Sequence, residues 1–126
     1  MAKIKRKQSA NIPNYDVKFP LFSFQYLDKT HGLDSCNKDE KAALVSTLYK
    51  LSQCRWKDLR NAPRHGVGYE KIDRHSFRVA IPQHITEDVN IIAFRFSGKK
   101  PMIGYRDKAI FHIVWLDRSF EVYNHE

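Results

Sequence analysis

The C-terminal third of the chain constrains the fold most, because three apolar segments follow one another there with only short turns between them. The segments are VNIIAFRFS, MIGYR and AIFHIVWLD, and the turns are GKKP and the pair Asp107-Lys108. Apolar runs of this length joined by so few residues predict strands that pair with their neighbours in the chain. AIFHIVWLD is apolar on both faces, which favours a position inside the sheet. We therefore expect an antiparallel meander in this part of the chain.

The first half of the chain predicts helices. In NKDEKAALVSTLYKLSQC, Asn37 can cap a helix with Glu40 three residues further on. Apolar residues then recur at helical spacing and predict one buried face, made of Leu44, Val45, Leu48 and Leu51. A second, shorter helix is expected to carry Trp56 and Leu59 and to end where proline and glycines follow.

The remaining segments complete an α+β fold in which helices are followed by a twisted antiparallel β-sheet meander. SFRVAIP and SFEVYNH are predicted as further strands, and Pro20 restricts VKFPLFSFQYL to an edge or irregular strand. We expect residues 1–14 to be a flexible basic arm and residues 15–126 to be a single domain. Cys36 and Cys54 lie near opposite ends of the first helix, about 27 Å apart at roughly 1.5 Å per residue, which predicts two free thiols.

The positive charge is the first indication of function. The formal net charge is +8, and residues 95–108 carry five basic residues against one acidic residue. Such clustering suits a polyanion, above all nucleic acid, although a solubilising surface also explains it. No apolar run approaches the roughly 20 residues that span a bilayer, and the N-terminus has no secretory pattern. We therefore expect a cytoplasmic protein with no membrane contact.

Several enzyme classes lack their sequence signatures in this chain. No glycine-rich phosphate loop followed by Lys-Ser/Thr is present, which argues against an NTPase. No GxSxG or HExxH motif occurs, and the six histidines are scattered, so neither a serine hydrolase nor a metal site is predicted. We expect no cofactor.

What remains is a set of residues suited to RNA cleavage without a metal. That reaction needs a base for the ribose 2′-hydroxyl, an acid for the leaving oxygen, and cations for the phosphate charge. The candidate catalytic residues are Arg95, Tyr105, Arg106, His112, Tyr123 and His125, and the candidate substrate-binding residues are Arg64, His65, Lys71, Lys99 and Lys100.

Structural roles explain most of these residues equally well. His112 has aliphatic neighbours and fits a hydrogen-bonded core histidine, while Tyr105 and Tyr123 fit ordinary sheet aromatics. Arg95 is harder to explain in this way, because an arginine in an apolar strand needs a partner such as Asp117 or a ligand phosphate.

The order of these residues resembles the RelE/YoeB/ParE group of bacterial toxins over roughly residues 38–125. The resemblance rests on FRF followed by GYRDKAIFHIVWLDRSFEVYNH. In that group a strand with a basic residue precedes a YR-type hairpin, and a Tyr or His follows near the C-terminus. Arg95, Tyr105-Arg106, Tyr123 and His125 match these positions. The added N-terminal segment and His112 depart from the group.

The resemblance implies a RelE-like toxin that cleaves mRNA, free or on the ribosome, by 2′-hydroxyl attack, and it implies a protein antitoxin as partner. The same fold also serves poisons of DNA gyrase, so the fold by itself does not choose the activity. The alternatives are a non-catalytic nucleic-acid-binding or phage/plasmid accessory protein that uses a basic sheet face, and an interaction module whose charge is incidental.

Overall fold

A computed structural model of the chain describes residues 13–64 and 66–125. Most of the predicted basic arm and His65 lie outside these described residues. The described residues form an α+β fold with two helices and a five-stranded sheet. The helices are α1 (Lys38–Ser52) and α2 (Trp56–Asn61), and the strands are β1 (Leu21–Ser23), β2 (Glu70–Ile72), β3 (Ile91–Ser97), β4 (Lys100–Asp107) and β5 (Ile110–Leu116).

The sheet has the strand order β1-β5-β4-β3-β2. Strands β3, β4 and β5 form the predicted antiparallel meander, and β2 continues it along the free side of β3. Strand β5 has neighbours on both sides, as its apolar composition predicts. The expectation of a wholly antiparallel sheet is wrong, because β1 runs parallel to β5 and pairs Leu21 with Ile110. This pairing joins residues almost ninety positions apart, which no local pattern signals.

Helix α1 begins where the sequence predicts. The Asn37 side chain accepts a hydrogen bond from the Glu40 amide at 2.8 Å, and the Glu40 carboxylate accepts one from the Asn37 amide at 2.8 Å. Leu44 and Leu51 are buried against the sheet, whereas Val45 is 67% exposed. The buried face of α1 is therefore narrower than predicted.

Both faces of the sheet are covered by apolar residues, but by different parts of the chain. Helices α1 and α2 cover one face, where Trp56 and Leu59 are fully buried. On the other face lie residues 77–89, here called the covering segment, together with the C-terminal residues. The covering segment contributes Phe77, Val79 and Ile81 to this second core without forming the predicted strand, since only Phe77 makes a bridge, to Tyr123.

No helix in the described ranges is long and apolar enough to cross a membrane. Cys36 is buried, Cys54 is partly buried, and both thiols are free, as their separation predicts.

Candidate active site

A groove of about 330 Å³ lies beside edge strand β2 on the face that the covering segment shields. Four residues predicted from the sequence line it, although they come from three separate parts of the chain. The lining residues, which together define the C-terminal groove, are Arg64, Glu70, Lys71, Ile72, Asp73, Ser76, Tyr123, Asn124 and His125.

A buried carboxylate folds the C-terminal segment back into this groove. Asp117 directly follows β5 and is fully buried. Its two oxygens accept hydrogen bonds from the amides of Glu121 at 2.8 Å and Val122 at 2.9 Å. The Asn124 amide then donates to the carbonyl of Ser76 at 2.8 Å. These bonds fix the loop after β5 and place Tyr123 and His125 in the groove.

The Tyr123 hydroxyl is an unpaired donor at the bottom of the groove. The residue is 4% exposed, and the hydroxyl makes no hydrogen bond of normal geometry with any described residue. Burial and the nearby negative charge of Glu70 raise the pKa of Tyr123 to about 12. The phenol is therefore protonated near neutral pH and can only donate to an anion or share its lone pairs.

Arg64 supplies a second unpaired donor to the same groove. One of its terminal nitrogens, Nη2, lies 2.8 Å from a carboxylate oxygen of Glu70, and both side chains are about one-third exposed. Its Nε is buried and has no hydrogen-bond partner among the described residues. A buried donor without a partner is unfavourable, so this guanidinium is suited to an additional acceptor.

His125 places an imidazole at the mouth of the groove. Its ring lies against Tyr123, with 4.0 Å between ring centroids, and contacts Phe120 on the other side. Its Nε2 lies 3.7 Å from a carboxylate oxygen of Asp117. Nδ1 has no partner among the described residues and is left for a ligand.

Lys71 lies at the rim of the groove on the edge strand. It pairs in register with Ile92, whose side chain belongs to the helix-side core. Side chains alternate along a strand, so Lys71 leaves β2 toward the helix side while Glu70 and Ile72 face the groove. The Lys71 side chain is exposed, and its ammonium makes no ion pair with a described residue.

Arg95 lies outside the C-terminal groove. It lines two small adjoining cavities of about 260 and 350 Å³ between α1 and the end of β3, together with Lys50 and Gly66. Its Nε is buried without a partner. Asp117, suggested as its partner from the sequence, accepts the two amide hydrogen bonds of the C-terminal loop instead.

Tyr105 and His112 meet across β4 and β5 in a second cluster on the same face as the groove. Their ring centroids are 5.0 Å apart, and the Tyr105 hydroxyl lies 3.1 Å from Nε2 of His84. Tyr26 packs against both His84 and His112. Burial lowers the pKa of His112, and its buried Nδ1 has no partner among the described residues. The rings of this cluster therefore pack mainly against one another.

The remaining predicted residues serve packing or face solvent. Arg106 points to the helix side, where it bonds Asp16 at 2.9 Å and lies over the ring of Trp56. Lys100 donates to buried Glu40 at 2.7 Å. Lys99 lies exposed in the turn between β3 and β4. The structure thus brings Arg64, Lys71, Tyr123 and His125 together in the C-terminal groove, whereas Arg95, Tyr105, Arg106 and His112 do not line it.

Sequence reasoning missed the carboxylate of the groove, Glu70. It lies in the segment GYEKI beside Lys71, and its only signal was that an acid stands close to the basic residues of that segment. His84 and Tyr26 of the second cluster were also missed, because they come from irregular segments without a period.

Within the described residues, no group of three or more His, Cys, Asp or Glu side chains could hold a metal ion. Comparison of the chain with protein-family models, with curated proteins and with solved structures finds no match.

Proposed function

We propose that this protein is a RelE-like endoribonuclease that cleaves RNA by attack of the ribose 2′-hydroxyl, with the C-terminal groove as its active site. One observation carries the proposal. Two buried donors without partners, the Tyr123 hydroxyl and Nε of Arg64, line the groove that also holds Glu70 and His125. A phosphate offers the acceptors that both donors lack, and an acid–base pair stands beside it.

The groups of the groove fit the two proton transfers of this reaction. Glu70 takes the proton of the 2′-hydroxyl, and the 2′-oxygen forms a bond to phosphorus. As the bond from phosphorus to the 5′-oxygen breaks, a protonated His125 gives its proton to that oxygen. The products are a 2′,3′-cyclic phosphate and a 5′-hydroxyl, and solvent returns both side chains to their starting states.

The remaining groups neutralise the phosphate. Arg64 presents its guanidinium to the oxygens that gain charge in the transition state, and the Tyr123 hydroxyl donates to one of them. The phosphate of the bound RNA then competes with Glu70 for Arg64. This frees the Glu70 carboxylate to act as a base. Tyr123 is not a base in this scheme, because a pKa raised to about 12 keeps the phenol protonated. Lys71 holds the strand at the rim of the groove.

The arrangement of the chain supports the RelE-like part of the proposal. Two helices pack on one face of the sheet, the strand that carries Arg95 directly precedes the β4–β5 hairpin, and a Tyr and a His follow at the C-terminus. These are the features on which the resemblance rests. The RNA-cleaving toxins of this group act on free or ribosome-bound RNA and are held inactive by a protein antitoxin, and we propose both partners for this chain.

Cleavage of end-labelled RNA in EDTA, with and without programmed ribosomes, tests the proposal. We expect products with 2′,3′-cyclic phosphate ends, and a loss of about 100-fold or more in rate on His125→Ala or Glu70→Gln. His75→Ala and Asp39→Asn, at an exposed histidine and an exposed carboxylate outside the groove, should cleave at the wild-type rate. Absence of cleavage in both settings, with RNA binding retained, would instead favour the non-catalytic nucleic-acid-binding protein.

A further inference from the structure

Another cavity, of about 550 Å³, lies on the helix side of edge strand β2. It is separate from the C-terminal groove, and Lys71 lines both. Its volume falls within the roughly 300–1,000 Å³ of small-molecule sites. The lining residues are Tyr69, Lys71, Asp88, Val89, Asn90, Ile92 and Arg106.

Arg106 is held in this cavity in a fixed orientation. Its Nη1 donates to Asp16 at 2.9 Å, its Nε donates to the carbonyl of Lys108 at 2.7 Å, and its guanidinium lies 4.4 Å from the ring centre of Trp56. Arg60 bonds the other oxygen of Asp16 at 2.7 Å. Two cations therefore share one carboxylate, and Arg106 keeps positive charge to offer to a ligand. A cation fixed before binding loses little entropy when it meets an anion.

Three of the other lining residues are apolar or aromatic, namely Tyr69, Val89 and Ile92. Ile92 is 6% exposed and forms the floor with partly buried Val89. The Tyr69 ring is braced edge-on by Trp56 and Phe94, at centroid distances of 6.3 and 5.3 Å. Such bracing fixes the plane of the ring that borders the cavity.

The polar groups divide by charge. Lys71 and Arg106 carry the positive charge. The Asp88 carboxylate, whose pKa is lowered by the hydrogen bond from the Thr86 hydroxyl, carries a negative charge, and exposed Asn90 adds a neutral amide. The cavity therefore has two cations against one anion. An anion is therefore favoured beside the two cations, and a polar ring edge beside the amide. A nucleotide has both parts, with a flat base between them that can stack on an aromatic ring.

We propose that this cavity binds one nucleotide of single-stranded RNA, with its base against Tyr69 and Asn90 and its phosphate between Lys71 and Arg106. This inference rests on the proposed function, because the RNA bound in this cavity is the same molecule whose scissile phosphate lies in the C-terminal groove. Lys71 lies on β2 between the two sites, where it contacts the RNA as the RNA crosses from one face of the sheet to the other. The cavity thus reads the base of a nucleotide neighbouring the cleaved one.

Binding of a fluorescein-labelled 2′-O-methyl RNA octamer, which lacks the attacking hydroxyl, tests the inference without cleavage. Anisotropy at constant salt should show that Tyr69→Leu weakens binding by about 5- to 150-fold, the effect expected for loss of one stacked base. Tyr69→Phe keeps the ring and should bind within about twofold of wild type. Asn90→Ala removes an exposed side chain and should weaken binding several-fold without affecting folding. Tyr49→Leu, at a tyrosine on α1 that is 68% exposed, is the matched control and should bind normally.

The outcomes separate this inference from the proposed function. Wild-type binding by both Asn90→Ala and folded Tyr69→Leu would overturn it even if the wild-type protein cleaves RNA, and so would an octamer that does not bind. Weakened binding by these variants supports it even if no cleavage is found, in which case only the proposed reaction fails. If Tyr69→Leu does not fold, Asn90→Ala decides.

Discussion

At the scale of single residues, the groove carries a cost to stability that its proposed function explains. The Tyr123 hydroxyl is buried and makes no hydrogen bond of normal geometry with a described residue, although Glu70 lies nearby, and a phenylalanine would fill the same space without it. Buried polar groups in folded proteins are nearly always paired, and one that is not costs about 1–3 kcal/mol. An unpaired donor is suited to a ligand that brings an acceptor, such as a phosphate oxygen.

Tyr123→Phe should therefore separate stability from activity. We expect the free energy of unfolding to rise by about 1 kcal/mol, because the unpaired hydroxyl is removed and the ring contacts remain. RNA cleavage should fall by about 100-fold, as for loss of one donor to a transition-state oxyanion. Urea unfolding and single-turnover cleavage measure the two effects. A variant that is less stable than wild type, or equally active, would contradict the interpretation, and Tyr49→Phe serves as control.

At the scale of elements, a buried carboxylate joins α1 to both ends of the β4–β5 hairpin. Glu40 is 2% exposed and accepts hydrogen bonds from Lys100 at 2.7 Å, where β4 begins, and from Arg118 at 2.8 Å, just after β5 ends. Burial acts to raise the pKa of Glu40, but hydrogen bonds from Lys100, the Asn37 amide and Arg118 outweigh it and lower the pKa to about 2. The same carboxylate therefore caps the helix and fixes it to the sheet.

The Glu40 pKa predicts how stability depends on pH. Since the folded-state pKa of about 2 is below the ordinary value of 4.5, ionised Glu40 stabilises the fold above pH 4.5, and this contribution disappears as the pH falls toward 2. Glu40→Gln should lower the free energy of unfolding by about 1.5–3 kcal/mol at pH 7, because hydrogen bonds to a charged group are lost.

Urea unfolding of both proteins at several pH values measures the Glu40 effect. The difference between wild type and variant should shrink steadily between pH 4.5 and 2. Asp39→Asn removes an exposed carboxylate from the same helical turn and should cost less than about 1 kcal/mol. A difference that does not vary with pH would contradict the assignment.

The elements also show how far the sequence predicts this molecule. Helix α1 and the β3–β5 meander depend on contacts between near neighbours in the chain, so the Asn37–Glu40 cap and the short turns were enough to predict them. Strand β1 pairs with β5 across almost ninety residues of chain, and its direction has no local signal. The covering segment alternates apolar and polar residues as a strand does, and its apolar residues Phe77, Val79 and Ile81 pack against the second core. It forms no continuous backbone ladder, because alternation indicates which side chains are buried and not which backbones pair.

The candidate site was predicted only in part, because the residues that form it are distant in the sequence. The sequence identified Arg64, Lys71, Tyr123 and His125 by residue type, but it also selected Arg106, which leaves the sheet on the other face. Which of these residues share a cavity depends on the loop that Asp117 holds after β5. Glu70 was missed because a single carboxylate in a basic segment has no pattern of its own.

At the scale of the whole molecule, basic residues lie both along edge strand β2 and away from it on helix α1. Under the proposals above, an RNA strand passes around edge strand β2, where Arg64 lines one cavity and Lys71 lines both. Helix α1 carries Lys38 and Lys41, which are also exposed but lie outside both cavities. If RNA follows the edge of β2, only Arg64 and Lys71 of these four residues neutralise phosphates and displace counterions from the RNA.

The salt dependence of RNA binding distinguishes a defined path from charge that only keeps the protein in solution. For single strands, the logarithm of the association constant falls with the logarithm of salt concentration by about 0.7 for each phosphate neutralised. Replacing both Arg64 and Lys71 by Gln should therefore reduce this slope by about 1.4. Replacing both Lys38 and Lys41 by Gln makes the same change in net charge and should leave the slope as it is. Equal effects of the two double variants, measured with the 2′-O-methyl octamer, would mean that RNA responds to the net charge of the molecule and not to the edge of β2.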